Sequence, residues 1–331
     1  MMAGRRRFSM LAALLLIAGG CAASAISPPA SSEVRLAPLE GAGWEMVWAD
    51  EFDGDTLDRS KWQPEVSCWG GGNAERQCYT DRPDNIVVEG GLLLLKAREE
   101  RFTGPARPPE IAADPNPRLT QPYTSGKVRT RGLHAWRYGR IAVRAKVPPG
   151  QGMWPAVWMM PAEDHYGPWP LSGEIDILEA VNIGATCKAC KGGRGENRTI
   201  SALHFGNLAP RNRFVDNRTA LPDLALPSDG FHVYAVEWGE GLIRFLVDDR
   251  VHLTVPAERW STASPLARGN PAAPFDRPFY VMANLAVGGR LSEENNAKGL
   301  AAGSFPAQFA IDWIRVYRCA ADPDTGRACM Q

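Results

Sequence analysis

Apolar and polar positions alternate in short runs along most of this chain. In GRIAVRAKV (139–147), Ile141, Val143, Ala145 and Val147 fall on one side, and Ala142, Arg144 and Lys146 on the other. A period of two marks a strand with one buried face. FHVYAVEW (231–238) and IRFLVDD (243–249) follow the same rule around a GEG turn, and FYVMANLAV (279–287) and FAIDWIRVY (309–317) continue it. NIVVEGGLLLLKA (85–97) is two apolar runs broken by a turn at Gly90-Gly91. No stretch sustains a helical period. Many short strands with frequent turns predict an all-β sandwich or barrel. The proline-rich stretch 102–122 reads as a long surface loop, as do 182–199 and 261–276.

Length alone, 331 residues, would allow two domains. No internal repeat or second composition class supports that division. One domain is expected over 43–319, followed by a short tail over 320–331. The 33 glycines, 27 prolines and 11 tryptophans favour turns and large aromatics over long helices. The formal net charge is zero, which argues against nucleic acid or an anionic membrane surface as the main partner.

The N-terminus reads as a targeting segment. Arg5, Arg6 and Arg7 precede MLAALLLI (10–17), an apolar run too short to span a bilayer. It leads through AGG into Cys21. Residues 1–21 resemble a bacterial lipoprotein signal, in which Cys21 would carry lipid and begin the mature chain. Plain secretion and an uncleaved anchor are the alternatives. Residues 22–42 follow as a flexible tether. The chain is therefore expected to be exported, to touch a membrane through that lipid alone, and to be a monomer.

Six further cysteines fall as near neighbours: Cys68 and Cys78, Cys187 and Cys190, Cys319 and Cys329. Three local disulfides are expected, in keeping with export, although six cysteines allow about 15 connectivities. Cys187-Lys-Ala-Cys190 could instead be half a zinc site or a redox motif. No second CxxC and no Cys/His cluster completes such a site.

The chemistry concentrates in GEIDILEA (173–180), where Glu174, Asp176 and Glu179 crowd into otherwise apolar chain. On a helix, steps of about 100° would scatter them, Asp176 about 200° and Glu179 about 140° from Glu174. On a strand, Glu174 and Asp176 share a face while Ile175 and Ile177 point into the core. One extra residue near Ile177-Leu178, a β-bulge, would turn Glu179 back beside them. Like charges on one face raise at least one carboxyl pKa, which a general acid needs at neutral pH. Two carboxyls on one face suit a retaining glycosidase. A solvated polar face or a calcium ligand set is the bland alternative. Upstream, GMWPAVWMMP (152–161) and YGPWP (166–170) supply Trp154, Trp158 and Trp169. Flat aromatic faces beside carboxylates suit a sugar-binding cleft. Core packing is the competing role, expected of Trp158 in particular.

These residues, read as GxWPAVWMMP…WPLSGEIDILEAVN…LHFG, resemble the laminarinase branch of glycoside hydrolase family sixteen. The resemblance extends through WADEFDGDTLDRSKW (48–62), NAERQCYTDRPDNIVVEGGLLLLKA (73–97), YTSGKVRT (123–130) and PFDRPFYVMANLAVGG (274–289), in family order. It implies a concanavalin-like β-jelly-roll sandwich of two antiparallel sheets with a glycan cleft on the concave face. It implies an endo-acting β-1,3-glucan hydrolase working by double displacement without a catalytic cofactor. Glu174 would be the nucleophile, Glu179 the acid/base, and Asp176 the carboxylate between them. Asn73 and Glu75 match a stretch beside the cleft. Arg144 matches a sugar hydroxyl donor, and Asn284 a cleft asparagine. His204 matches a cleft histidine, with a buried structural role as its equal alternative. The chain departs from the usual pattern after AVGG, where RLSEEN (290–295) makes one rim of the cleft. The resemblance further implies a structural calcium away from catalysis, with Glu51 and Gly91 offering carbonyls beside Asp312. Agar, carrageenan or mixed-linkage glucan as substrate, a glucan-binding protein without catalysis, and a lectin-like sandwich are the other readings carried forward.

Overall fold

The alternating runs form strands where the pattern places them. In this computed structural model the first strands are β1 (Trp44–Asp50), β2 (Gln63–Pro64), β3 (Gln77–Tyr79), β4 (Ile86–Glu89), β5 (Leu92–Pro105) and β6 (Arg118–Ser125). Next come β7 (Lys127–Arg129), β8 (Gly139–Lys146), β9 (Met153–Pro161), β10 (Glu174–Ala180), β11 (Arg198–Gly206) and β12 (Asn212–Ala220). The last are β13 (His232–Gly239), β14 (Leu242–Val247), β15 (Arg250–Pro256), β16 (Phe279–Val287) and β17 (Ala307–Cys319), with a short helix α1 (Arg290–Glu293) between β16 and β17. The structure describes Met1, residues 43–296 and residues 298–331. The signal, the tether and Cys21 lie outside the described residues.

The strands make two sheets. One has seven strands in the order β12-β11-β10-β9-β16-β7-β2. The other has ten, in the order β15-β14-β13-β8-β17-β5-β6-β3, with β1 on β17 and β4 on β5. Pairing is antiparallel except between β3 and β6. The core lies between the sheets. Ile141, Val143 and Ala145 of β8 face Val157 and Met159 of β9, Ile175 of β10, Leu203 of β11 and Val281 of β16 within one buried cluster. Each fully buried large side chain of this kind contributes about 1.5–3 kcal/mol.

Two features differ from expectation, and a third adds to it. Residues 102–122 are a loop only over 106–117; their two ends are strand, with β5 and β6 paired from Arg98–Thr124 out to Pro105–Arg118. This hairpin projects with little of either face buried, so no apolar alternation marks it. β12, NRFVDNRTA, is an edge strand of mostly exposed and half-buried residues, and the same absence hid it. The short tail 320–331 packs on the domain. The Glu240 N–H donates to the Thr325 carbonyl at 2.7 Å, and Met330 packs on Trp44 and Cys319. All three expected disulfides form, Cys68–Cys78, Cys187–Cys190 and Cys319–Cys329. Cys187 and Cys190 are thereby withdrawn from zinc ligation. The pairs are separated by 10, 3 and 10 residues, so each pins a local turn rather than joining distant parts.

Candidate active site

β10 carries the carboxylates, and its register explains how they meet. Asp176 pairs with Ala202 and Glu179 with Ile200 of β11, so three steps on one strand match two on the other. On the opposite side Asp176 pairs with Trp158 and Leu178 with Val157 of β9. The extra residue is the bulge. Ile177 and Leu178 both go into the core, 1% and 0% exposed, and Glu179 returns to the face of Glu174 and Asp176.

Each glutamate receives an indole N–H. Trp169 Nε1 donates to Glu174 Oε2 at 2.7 Å, and Trp154 Nε1 donates to Glu179 Oε1 at 2.9 Å. Asp176 is buried between them. Its Oδ2 lies 3.4 Å from His204 Nε2, a contact of opposite charges without hydrogen-bond alignment. His204 Nε2 is also 3.9 Å from Glu174 Oε1. Thus His204, half-buried, faces the cleft beside the carboxylates.

Burial first, then the charge of Glu174, holds the Asp176 carboxyl well above the usual range. Burial also pushes Glu179 up to about 6, opposed by His204 and the Trp154 N–H. Burial favours the neutral form of His204, but the adjoining Asp176 carboxylate, then the charges of Glu174 and Glu179, outweigh it and push the imidazole up to about 10. The site can therefore hold a proton on Glu179 near neutral pH, next to a hydrogen-bonded Glu174 on the same face.

A buried polar chain supports the face from the β16 side. Trp158 Nε1 donates to Asn284 Oδ1 at 2.7 Å, and Asn284 Nδ2 donates to the Tyr79 hydroxyl at 3.1 Å. The Tyr79 hydroxyl and Gln77 Nε2 both donate to Glu75 Oε2, at 3.3 and 2.7 Å. Burial raises the Glu75 carboxyl. Lys127 Nζ sits 4.9 Å from the centre of the Trp158 ring. Trp158, expected in the core, thus lies on the cleft face, as Trp154 and Trp169 do. The reason is register: Val157 and Met159 take the core positions on either side of it. Asn73 lies at the rim, where its carbonyl accepts from the Arg290 N–H at 2.8 Å. The first four residues of RLSEEN form α1 there. Glu293 pairs with Arg76 and accepts from the Gly289 N–H at 3.0 Å. Gly289, at φ +86°, is required: a Cβ would lie 3.0 Å from Glu75 and 3.3 Å from the Trp154 ring.

Arg144 does not reach this face. On β8 its neighbours Val143 and Ala145 point into the core, so Arg144 points out from the ten-stranded sheet, pairs with Asp312 and lies 4.8 Å from the Phe231 ring centre. The alternation gave its face correctly; its assignment to the cleft is overturned because β8 belongs to the other sheet. The same pair bears on calcium. The one side-chain oxygen donor of that set, Asp312, already holds a guanidinium. The Glu51 carboxylate accepts from Arg315 Nε at 2.7 Å and Nη2 at 2.8 Å. These residues fit internal ion pairs better than a cation shell. Glu174, Asp176 and His204 could together offer a cation ligand atoms within 4.8 Å of one another. Tyr79, Gln77 and Lys127 were missed from the sequence, because they sit on strands three residues long that carry no period.

Comparison with known proteins places this geometry. The profile of glycosyl hydrolases family 16 matches residues 73–315. The chain is 38% identical over 286 residues to glucan endo-1,3-beta-glucosidase A1 of Niallia circulans, covering 84% of this chain but 38% of that protein. It is 37% identical over 286 residues to the beta-glucanase of Rhodothermus marinus, covering 83% of this chain and 85% of that one. The X-ray structure of the laminarinase from Rhodothermus marinus superposes with a TM-score of 0.66 at 36% identity, over 83% of this chain and 97% of that one. The chain belongs to glycosyl hydrolases family 16.

Proposed function

We propose that the protein is an endo-acting β-1,3-glucanase that cleaves laminarin-type glucan with retention of configuration. The bulge of β10 carries this reading, because it gathers Glu174, Asp176 and Glu179 on one face with an indole N–H on each glutamate. The similarity to a glucan endo-1,3-beta-glucosidase and to a laminarinase structure supports the choice of glucan.

Glu179 gives its proton to the glycosidic oxygen as the bond from that oxygen to the anomeric carbon breaks. A Glu174 oxygen attacks the anomeric carbon and forms a glycosyl ester. Glu179, now a carboxylate, takes a proton from water. The water oxygen bonds the anomeric carbon and Glu174 leaves as a carboxylate. Asp176, facing His204, holds the charge state of the nucleophile's surroundings. These carboxylates account for every proton and bond exchanged, so catalysis needs no cofactor. Trp154, Trp158 and Trp169 offer flat faces to the sugar rings, and Asn284, Glu75 and Asn73 polar groups along the cleft.

Export with lipidation at Cys21 belongs to the same proposal. The three disulfides support an oxidising compartment. An intact-mass measurement on membrane-extracted protein, showing a diacylglyceryl adduct on Cys21, would establish the anchor.

The functional test is reducing-sugar release from laminarin, lichenan, agarose and xyloglucan, with NMR of the first-formed product. Release from laminarin as the β-anomer is expected. Activity confined to agarose would move the substrate, and an α-product would overturn the double displacement.

A further inference from the structure

The cleft face continues past His204 onto β12, where no role has yet been given. Register carries Glu174–His204 on to Phe214, Asp176–Ala202 on to Asp216, and Glu179–Ile200 on to Arg218. Directly paired residues of antiparallel strands share a face, so these side chains belong to the cleft. β12 lies two strand spacings from β10, about 10 Å.

Phe214 is 59% exposed, so core packing does not explain it. Its ring centre is 5.7 Å from that of His204. Trp169, 41% exposed, lies 6.1 Å from the same imidazole. Ala202 and Ile200 of β11, between β12 and the carboxylates, are buried. The result is an exposed aromatic surface at the edge of the carboxylate site, with Asp216 and Arg218 as charged hydrogen-bonding groups next to it. Pyranose rings stack their apolar faces on such surfaces.

The two halves of the cleft differ. Towards β16, Trp158, Asn284, Tyr79, Gln77 and Glu75 form a connected, largely buried chain of hydrogen bonds. Towards β12 the groups are open to solvent. In a retaining reaction one part of the glycan stays bound through both steps, while the other departs and is replaced by water or a second sugar. The fixed polar half suits the part that stays. The open aromatic half suits the part that exchanges.

We propose that Phe214, together with Trp169, is the stacking platform for the leaving-group sugars and for sugar acceptors. This inference rests on the glycosidase reading above and deepens it.

The test compares the full-length protein with its Phe214→Ala and Phe214→Trp variants on two substrates. Laminarin places sugars on the leaving-group side. β-Laminaribiosyl fluoride has a leaving group too small to reach Phe214. For Phe214→Ala, kcat/KM on laminarin should fall about tenfold more than on the fluoride, the loss expected for one aromatic contact. Transfer to an added laminaribiose acceptor should fall with it, and Phe214→Trp should restore both. Equal losses on the two substrates would mark Phe214 as a structural or retained-side residue and overturn the proposal, and so would no loss on either. If the wild type cleaves another β-glycan instead, the same pair of measurements on that glycan and its fluoride decides the matter. A wild type inactive on every β-glycan would remove the glycosidase reading, and this inference with it.

Discussion

The carboxylate row of β10 and the outward face of the ten-stranded sheet handle charge in opposite ways. On the ten-stranded sheet each acidic group of the ion-pair network meets a guanidinium. Arg140 bridges Glu237 at 2.7 Å and Asp249 at 2.6 Å, Arg144 holds Asp312, and Arg315 holds Glu51. On the seven-stranded sheet Glu174 and Asp176 share one imidazole, Glu179 has the Trp154 N–H, and among the described residues no Lys or Arg forms an ion pair with any of the three. Compensated charge holds strands together. Uncompensated charge costs stability and persists where the chemistry uses it. The contrast separates a structural face from a catalytic one without reference to any relative.

The sharpest break of this contrast is on the catalytic side. Glu174→Ala should lower kcat on laminarin by about 10⁴-fold or more, while leaving the melting temperature equal or higher, because it removes a like charge from a crowded face. Turnover and calorimetry on one preparation check both halves. Next comes the structural side. Arg140→Ala leaves Glu237 buried without its partner and should cost about 3–5 kcal/mol in urea unfolding. Its kcat/KM should stay within about twofold of the wild type, since Arg140 points away from the cleft. If Arg140→Ala loses activity in proportion to Glu174→Ala, the division between the faces fails.

How much of this was legible in the sequence follows from the same physics. Alternation announces a strand only where one face is buried and the other wet. β17 comes nearest to that condition; β8, β13 and β16 are buried at nearly every residue and were legible because their short, largely apolar runs end at turn residues. The bulge was legible because Ile177-Leu178 interrupts the period between Asp176 and Glu179. The projecting β5–β6 hairpin and the edge strand β12 do not meet the condition, so both were missed, and Phe214 with them. Arg144 shows a different limit. The period says which face of its own strand a residue takes, but not which sheet that strand joins. Pairing of β8 with β13 and β17 is a long-range fact, and no local pattern contains it. Trp158 shows the reverse case: in a row of apolar residues the large aromatic looked like the core, while Val157 and Met159 took that place.

A smaller effect comes from pH. Burial pushes Glu179 up to about 6, and the reaction needs it protonated, so kcat/KM should fall as pH rises through about 6. Trp154→Phe removes an N–H that favours the ionised carboxylate, so this limb should move to higher pH. The sign for stability follows from linkage. A carboxyl with a raised folded pKa binds its proton more tightly in the folded state. Stability therefore falls as pH rises from the ordinary 4.5 towards about 6 and stays lower above that. Glu179→Gln removes the loss and should gain about 1–2 kcal/mol at pH 7 and little at pH 4. An equal change at both pH values would mean that packing, not charge, sets the difference.

The smallest expected effect is on the structural face, and it bears on calcium. A calcium site there would use the Asp312 carboxylate with carbonyls of Glu51 and Gly91. Hard oxygen ligands around calcium usually number six to eight. Here the one carboxylate is engaged by Arg144, and a cation beside it would face a guanidinium across the same oxygens. Displacing Arg144 would expose the charge that now caps the Phe231 ring. The compensated face therefore needs no ion, and dialysis against a chelator should move the melting temperature by less than about 1 °C, whereas a bound ion in excess over its Kd would contribute about 2.7 kcal/mol or more. A larger drop, reversed by calcium and absent in Asp312→Asn, would show that Arg144 yields to the ion and that charge on this face is compensated in two alternative ways.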